Sequence, residues 1–365
     1  MTAAARITRN IPELEGLRGI VASYVAIHHS LGNVPSIHSH PALFPLRFGI
    51  EAVLIFFVLS GFVISYSTEK SKSIDWRIYC GLRLRRIFPI FLLALGLSYI
   101  AQAYAMGRVV PVDWKNLLGN LLMMQDVNKP GIWVDPFCGN GPLWSLSYEM
   151  WFYGLYAVIM MWVPSPRQLW ATGALSVLAI GVASLFPNPI SNFCALLPIW
   201  WTGVEMARRV ARGDGLGLRS MAPVYGLLAL PTLWFALRCY MHATDPAAGP
   251  RYLAAHPYVE LRMYLFCIAC CLGLPLLLKI KPCVACLNWR PFQWLGGISY
   301  AIYLFHIPII KWDIGVMPIW ASFGIKLAVI LALAWLAEAC LQPWINRKTN
   351  HLLRPARHLS ATNAR

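Results

Sequence analysis

The sequence predicts an all-α polytopic membrane protein of about ten transmembrane helices, with both termini in the cytoplasm. Three observations carry this expectation. Of the 365 residues, 58% are hydrophobic and only 13% charged; a water-soluble domain of that composition would expose large apolar patches, so the bilayer is the natural solvent of its surface. The apolar residues fall into runs of membrane-crossing length. The Lys and Arg side chains sit in short loops between those runs and are concentrated on one side, as the positive-inside rule requires. The 16 Trp, 15 Tyr and 16 Phe suit many lipid–water crossings, because amphipathic rings settle at headgroup level.

A membrane helix needs about 20 apolar residues, somewhat fewer inside a bundle. Taken in order, runs of this kind lie at 17–34, 49–67, 87–106, 143–163, 169–187, 191–207, 221–240, 259–278, 293–313 and 319–342. Residues 116–125 are too short to span and read as an interfacial or re-entrant segment. An even number of crossings puts both termini on one side. Placing them in the cytoplasm assigns about 22 of the 31 Lys and Arg to the inner face. The inner loops are then 69–86, 164–168, 208–220 and 279–292, and the long outer segments are 107–142 and 241–258. With no internal repeat and no linker, the chain divides only into one membrane domain, 1–346, and a basic cytoplasmic tail, 347–365. The expected location is the cell membrane, the inner one in a bacterium.

The net charge of +16 does not point to nucleic acid, whose binders gather Lys and Arg on one accessible face. Distributed through loops, the charge meets anionic headgroups or phosphates at the cytoplasmic surface instead. The first 17 residues are polar and lack the apolar core of a signal peptide. Of the ten cysteines, Cys194, Cys267, Cys270, Cys271 and Cys340 lie inside apolar runs, where a thiol behaves as a small hydrophobe. Cys283 and Cys286 form a lone CxxC with no second ligand pair, so no metal site is expected.

The first predicted helix carries the chemistry. Arg18 and His29 are eleven positions apart, and eleven steps of about 100° return nearly to the same face, with a separation of roughly 16 Å along the axis. Arg18 then lies near the cytoplasmic mouth and His29 near mid-membrane on the same wall. His28 points about 100° away. Ionisable groups within a membrane are costly and usually face an interior cavity, which makes a functional site the default reading. From this helix alone, a snorkelling anchor at Arg18 and an interhelical hydrogen bond at His29 account for the pair equally well.

This run resembles the Arg-x10-His signature of the acyltransferase-3 family of integral membrane O-acyltransferases. The resemblance continues through Phe56-Phe57-Val58-Leu59-Ser60-Gly61-Phe62, Arg83-Leu84-Arg85-Arg86-Ile87-Phe88-Pro89, and Leu143-Trp144-Ser145-Leu146-Ser147-Tyr148-Glu149 with Phe152-Tyr153. It ends in Leu295-Gly296-Gly297-Ile298-Ser299-Tyr300-Ala301-Ile302-Tyr303-Leu304-Phe305-His306. It implies that a cytosolic acyl-CoA, most often acetyl-CoA, donates its acyl group to a hydroxyl of a glycan or glycolipid on the far side of the membrane, with no permanently bound cofactor. On that footing His29 is the expected general base, an imidazole being suited to proton transfer near neutrality; a transient acyl-imidazole is the other route. Arg18 is expected to hold the donor or stabilise the oxyanion, and Glu149 is a further candidate catalytic residue. Arg83, Arg85 and Arg86 are expected to bind CoA phosphates, although an ordinary topology anchor explains the same cluster. Trp144 and Ser147, with Glu149, are placed on the acceptor side, and Ser60, Tyr300, His306 and Glu51 are expected to line the cavity. A helix dipole alone also accounts for Glu149, and an interhelical hydrogen bond for His306.

The sequence departs from the family pattern in two places. An acid is common two residues before the Phe-Phe pair and a Glu two residues before the Pro of the last helix; here these positions hold Leu54 and Leu341, and Glu51 and Glu338 stand three residues earlier. The rival function is a transporter or flippase of a glycan, lipid or small anion, which buried Arg, His and Glu also fit. Transporters commonly carry repeats, and the motifs here differ between the two halves. The sequence does not fix the acceptor or the oligomeric state.

Overall fold

The computed structural model describes residues 11–32, 47–69, 75–127, 131–244, 257–313 and 318–353. The first ten residues, the centre of the 241–258 segment and the tail from 354 onward lie outside these, and with them most of the expected basic tail. Among the described residues the chain is helical throughout, apart from short turns and one isolated bridge between Gln125 and Val134. The helices are α1 Pro12–Gly32, α2 Gly49–Glu69, α3 Trp76–Ala105, α4 Trp114–Leu121, α5 Leu143–Trp162, α6 Gln168–Leu185, α7 Pro189–Arg212, α8 Leu218–Thr244, α9 Pro257–Leu277, α10 Lys281–Leu287, α11 Arg290–Gly297, α12 Ser299–Ile310, α13 Ile319–Trp335 and α14 Gln342–Thr349.

Local sequence sets the boundaries. Asp75 caps α3 by accepting from the Arg77 and Ile78 amides, so this helix starts eleven residues before the expected 87 and takes in the whole basic stretch. At 30 residues it is about 45 Å long, more than the hydrocarbon core of a bilayer requires. Asn188 caps α7 through the Ser191 amide, with Pro189 at the first position, and Gly213 ends that helix at φ 79°. α4 is capped by Asp113 and is only eight residues long, consistent with a segment too short to span.

Among the described residues, six helices are long and apolar enough to cross a membrane: α2, α3, α6, α8, α9 and the run from α13 through α14. The other expected crossings differ in kind. α1, α5 and α7 have spanning length but carry polar and charged side chains. The expected ninth crossing, 293–313, is a broken helix: α11 stops at Gly297, Ile298 leaves helical geometry at ψ 7°, and α12 runs for only twelve residues, about 18 Å. The tenth continues past 342 through a π-helical turn at Leu336–Leu341.

The polar helices are the inner ones. α7 is buried along nearly its whole length and α12 along all of it, whereas α8, α9 and α13 leave rows of Leu, Ile and Trp on the outside. Two close approaches fix the inner packing. A Cβ on Gly203 would stand 1.9 Å from the Val58 carbonyl oxygen, and one on Gly61 2.2 Å from that of Trp200, so α2 and α7 meet backbone to backbone. α1 and α11 meet in the same way at Gly19 and Gly296. At one end of α7 a buried network joins Arg208 to Glu205, Glu69 and Gln168, and Arg209 to Glu205. At the other, the buried Asp126 carboxylate accepts from Tyr148, Asn192 and the Val127 amide, which draws the 123–127 segment down into the protein.

Candidate active site

Five elements enclose a cavity of about 130 Å³: α1 supplies Arg18; α2 Phe56, Phe57 and Ser60; α3 Arg83 and Arg86; α5 Ser145, Glu149 and Tyr153; and α12 Ser299, Tyr300 and Tyr303. The helical period explains each contribution. Ser145, Glu149 and Tyr153 are four apart and share a face of α5, as Tyr300 and Tyr303 share one of α12. The break at Ile298 brings Ser299 and Tyr300 to the cavity, and the Tyr300 hydroxyl donates to the Ile87 carbonyl at 3.0 Å, tying α12 to α3.

The cavity is lined mostly by apolar side chains, and the charged groups among them are mostly cationic. Glu149 Oε1 accepts from the Tyr153 hydroxyl and from Ser60 at 2.8 Å. Arg86 forms a bidentate pair with Glu338, Nη2 to Oε1 at 2.9 Å, and lies over the Tyr300 ring at 5.3 Å. The π-helical turn carries Glu338 to this position; an extra residue in the helical ladder changes which side chains face inward, a device frequent at functional sites. Arg18 is paired with Glu15 at 3.4 Å. Arg83 stacks over Tyr79 and Tyr153 and, among the described residues, has no carboxylate within ion-pair distance, so its guanidinium is the one most available to an anionic ligand.

His29 is not among the residues that line this cavity. It sits at the opposite end of α1, its ring stacked on His306 of α12 with centroids 5.2 Å apart and planes 29° apart. His306 is fully buried; its Nδ1 lies 3.3 Å from the Ile302 carbonyl and its Nε2 has no hydrogen-bond partner. Tyr303 connects the two regions, reaching the cavity on one side and the His306 ring at 5.8 Å on the other, with its hydroxyl bonded to Ser145 at 2.7 Å. The expected shared wall is not formed: Arg18 lines the cavity, whereas His29 stands with His306 beyond Tyr303.

The remaining candidates separate. Ser60 and Tyr300 line the cavity as expected. Glu149 does not lie with Trp144 and Ser147: it faces the arginines, while Ser147 donates to the Gln125 and Trp144 carbonyls and Trp144 packs on Phe57 and Tyr148. Five positions on a helix place Glu149 about 140° from Trp144, which accounts for the separation. Arg85 points away from Arg83 and Arg86, donating to the Asn346 carbonyl at 3.4 Å, with Gln342 bonded to its own carbonyl. Glu51 is buried at the start of α2 and pairs with Arg262 of α9 at 2.5 Å, outside the cavity. Tyr153, Ser145 and Tyr303 were not anticipated, although positions four residues either side of Glu149 and three before His306 follow from helical spacing.

Over residues 11–339 the chain matches the family described as an acyltransferase domain. It is similar to the acyltransferase MdmB of Streptomyces mycarofaciens, 26% identical over 347 residues, covering 84% of this chain and 82% of that protein. It is also similar to the putative peptidoglycan O-acetyltransferase YrhL of Bacillus subtilis, 24% identical over 90% of this chain and 54% of the relative. The peptidoglycan O-acetyltransferase OatA of Listeria monocytogenes is 24% identical over 87% of this chain and 52% of the relative. The chain thus spans about half the length of these two peptidoglycan-modifying relatives. No solved structure matches it.

Proposed function

Because the chain belongs to the acyltransferase-3 family and is a multi-pass membrane acyltransferase, we propose that it moves an acyl group, most simply acetyl, from cytosolic acyl-CoA to a hydroxyl of an extracytoplasmic glycan or glycolipid. The single observation that carries this reading is the arrangement along α1: Arg18 opens into a cavity with Arg83, Arg86 and Glu149, and the same helix presents His29 to His306 at its far end. In this reading the ends of the inner helices near Arg18 face the cytoplasm, about ten segments cross the membrane including the polar and broken ones, and residues 1–346 form the catalytic domain.

The donor enters at the cationic cavity, where Arg83 takes a CoA phosphate and Arg86, held flat by Glu338, offers a fixed positive face. Arg85 anchors α14 instead of the donor. The acyl carbonyl lies toward Tyr303 and the imidazoles. His29 removes the proton of the acceptor hydroxyl as its oxygen attacks the thioester carbon; the C–O bond forms, the carbonyl becomes an oxyanion, and its collapse breaks the C–S bond. The imidazolium returns the proton to the departing CoA sulfur, so the base is regenerated each turnover. Arg18, at the cavity end of α1 and roughly 16 Å from His29 along the axis, adds positive charge for the donor's phosphates. His306 touches no substrate in this scheme. Its stacked ring holds His29 in place, which makes it a positioning residue.

Incubating membranes that contain the protein with radiolabelled acetyl-CoA, and identifying the labelled product by mass spectrometry, tests the reading. His29→Ala and Arg18→Ala are expected to remain in the membrane while transfer falls about a hundredfold or more for the histidine. Wild-type transfer by His29→Ala removes the proposed base. Protease protection of the C-terminal tail in sealed inverted vesicles would reverse the assignment of sides.

A further inference from the structure

A second cavity, of about 280 Å³, lies between the end of α3, the turn at 137–140 and the end of α12. It is lined by Ser98, Gln102, Cys138, Gly139, Asn140 and Lys311, with Ala and Ile side chains. The first cavity uses Arg83 and Arg86 of the same α3; from Arg86 to Ser98 is twelve residues, or about 18 Å along the axis. α12 gives the same order, with Tyr300 and Tyr303 at the first cavity, His306 next and Lys311 at the second. The imidazole pair therefore stands between the two in height.

Two groups at the second cavity have hydrogen-bonding capacity left over. Asn140 is 1% exposed and its Nδ2 donates to Ser98 Oγ at 3.0 Å and the Leu304 carbonyl at 3.1 Å; its Oδ1 has no partner. A buried amide oxygen without a donor is costly, and the two donated bonds fix where that oxygen lies. Lys311 Nζ uses one of its three hydrogens on the Gly139 carbonyl at 2.7 Å. The turn that builds the wall is strained: Cys138 has φ 51°, a left-handed conformation that non-glycine residues rarely adopt, and Gly139 follows at φ 67°. A Cβ on Gly139 would come 2.9 Å from Lys311 Nζ, so the glycine also makes room for the ammonium.

We propose that this cavity is a subsite for one sugar ring of the acceptor, with a ring hydroxyl donating to Asn140 Oδ1 and Lys311 Nζ donating to a ring or substituent oxygen. The chemistry selects the class. One acceptor and a multiple donor in one cavity, among alanine, isoleucine and proline side chains, suit a polyol better than an acyl chain, which would leave both groups unpaired, or an aromatic ring, for which no flat partner is present among the lining residues. The volume lies just below the usual span of small-molecule pockets, about 300–1,000 Å³, and holds a single ring. The assignment rests on the glycan-acceptor reading above, and places the sugar at the far end of α12 from the donor, against Ile307 and Pro308.

Cys138, half-buried in the same wall, supplies a readout that needs neither acyl-CoA nor transfer. Purified full-length protein in detergent is treated with a maleimide at pH 9, with and without millimolar methyl glycosides of glucose, N-acetylglucosamine or N-acetylmuramic acid. Modification of the Cys138 peptide is followed by mass spectrometry, with size-exclusion elution as the folding control. At least one glycoside is expected to slow labelling of Cys138 fivefold or more in the wild type, and not in Asn140→Leu. Lys311→Met, at an exposed rim position, is expected to lose the same protection and serves if Asn140→Leu does not fold. No protection by any of the three, or equal protection in the variants, overturns the subsite. Protection without acetyl transfer counts against the proposed reaction and leaves the subsite standing; transfer without protection does the reverse.

Discussion

The two cavities share two helices and are built in opposite ways. The one near Arg18 is set by charge: the Arg86–Glu338 pair, the Arg18–Glu15 pair, a carboxylate at Glu149 and an uncommitted guanidinium at Arg83. The one at the end of α12 is set by a strained turn and by hydrogen bonds from neutral groups, with a single ammonium at its rim. The difference matches the ligands assigned to them. A phosphorylated donor is met by fixed positive charge, which costs little to keep in place once paired and aligned. A neutral polyol is met by an amide whose direction is fixed in advance, so that little is lost on ordering it.

The sharpest way to break this comparison is at Arg86. Arg86→Ala leaves Glu338 buried without its partner and is expected to lower stability by about 3–5 kcal/mol, read as thermal unfolding in detergent. Replacing both with leucine should recover much of that loss without restoring transfer; recovery of transfer as well would mean the pair is only packing. His306→Leu comes next, with transfer reduced about a hundredfold and the KM for acyl-CoA unchanged, while His306→Gln retains more because it keeps a polar partner for His29. An equal loss of folded protein in both variants would reduce His306 to a structural residue.

Glu149→Gln tells the two cavities apart. The geometry expects the KM for acyl-CoA to fall about tenfold, or about 1.4 kcal/mol, because a negative charge facing an anionic donor is removed, with the acceptor KM unaffected; the opposite split would return Glu149 to the acceptor side, where the sequence alone had put it. Ser147→Ala should cost only about 1 kcal/mol of stability, the net worth of a hydrogen bond, and leave transfer intact. The smallest effect concerns Cys138. Burial pushes its thiol up to about 11, with Lys311 pulling it partly back, so the protonated, unreactive form dominates at neutral pH. Maleimide labelling of folded protein should therefore rise about tenfold per pH unit from 7 toward 10, and a plateau near pH 9 would mean the side chain is more open than its surroundings indicate.

Much of the fold was legible because apolar runs and their flanks are local properties. The boundaries of α2 and α5 fall within two residues of the expected spans at both ends. The break at Ile298 was not legible, since Leu295 to Ile310 reads as one apolar stretch and the interruption depends on how α12 seats against α1 and α3. In the site, the candidacy of Arg18, His29 and His306 follows from helical periodicity and from the family motifs. The meeting of His29 with His306 needs tertiary packing, because 277 positions separate them. Glu149 was assigned by sequence neighbourhood, and rotation about the helix axis turns it into the cavity that holds the arginines. Asn140 and Lys311 sit in a turn and at a helix end, where no periodic signal marks them.

The ionic network at the end of α7 bears on how the protein is made. A helix carrying Glu205, Arg208 and Arg209 is poorly suited to partition into lipid alone, since each charge near a helix centre disfavours insertion by about 2.5–3.5 kcal/mol and only those near the interface escape that penalty. Its backbone seat on α2, at Gly61 and Gly203, offers it a surface that is already in the bilayer when α7 leaves the ribosome. The charged guest α7 is thus received by a cavity-lining helix that precedes it in the chain, and its insertion is expected to depend on α2 already being in place.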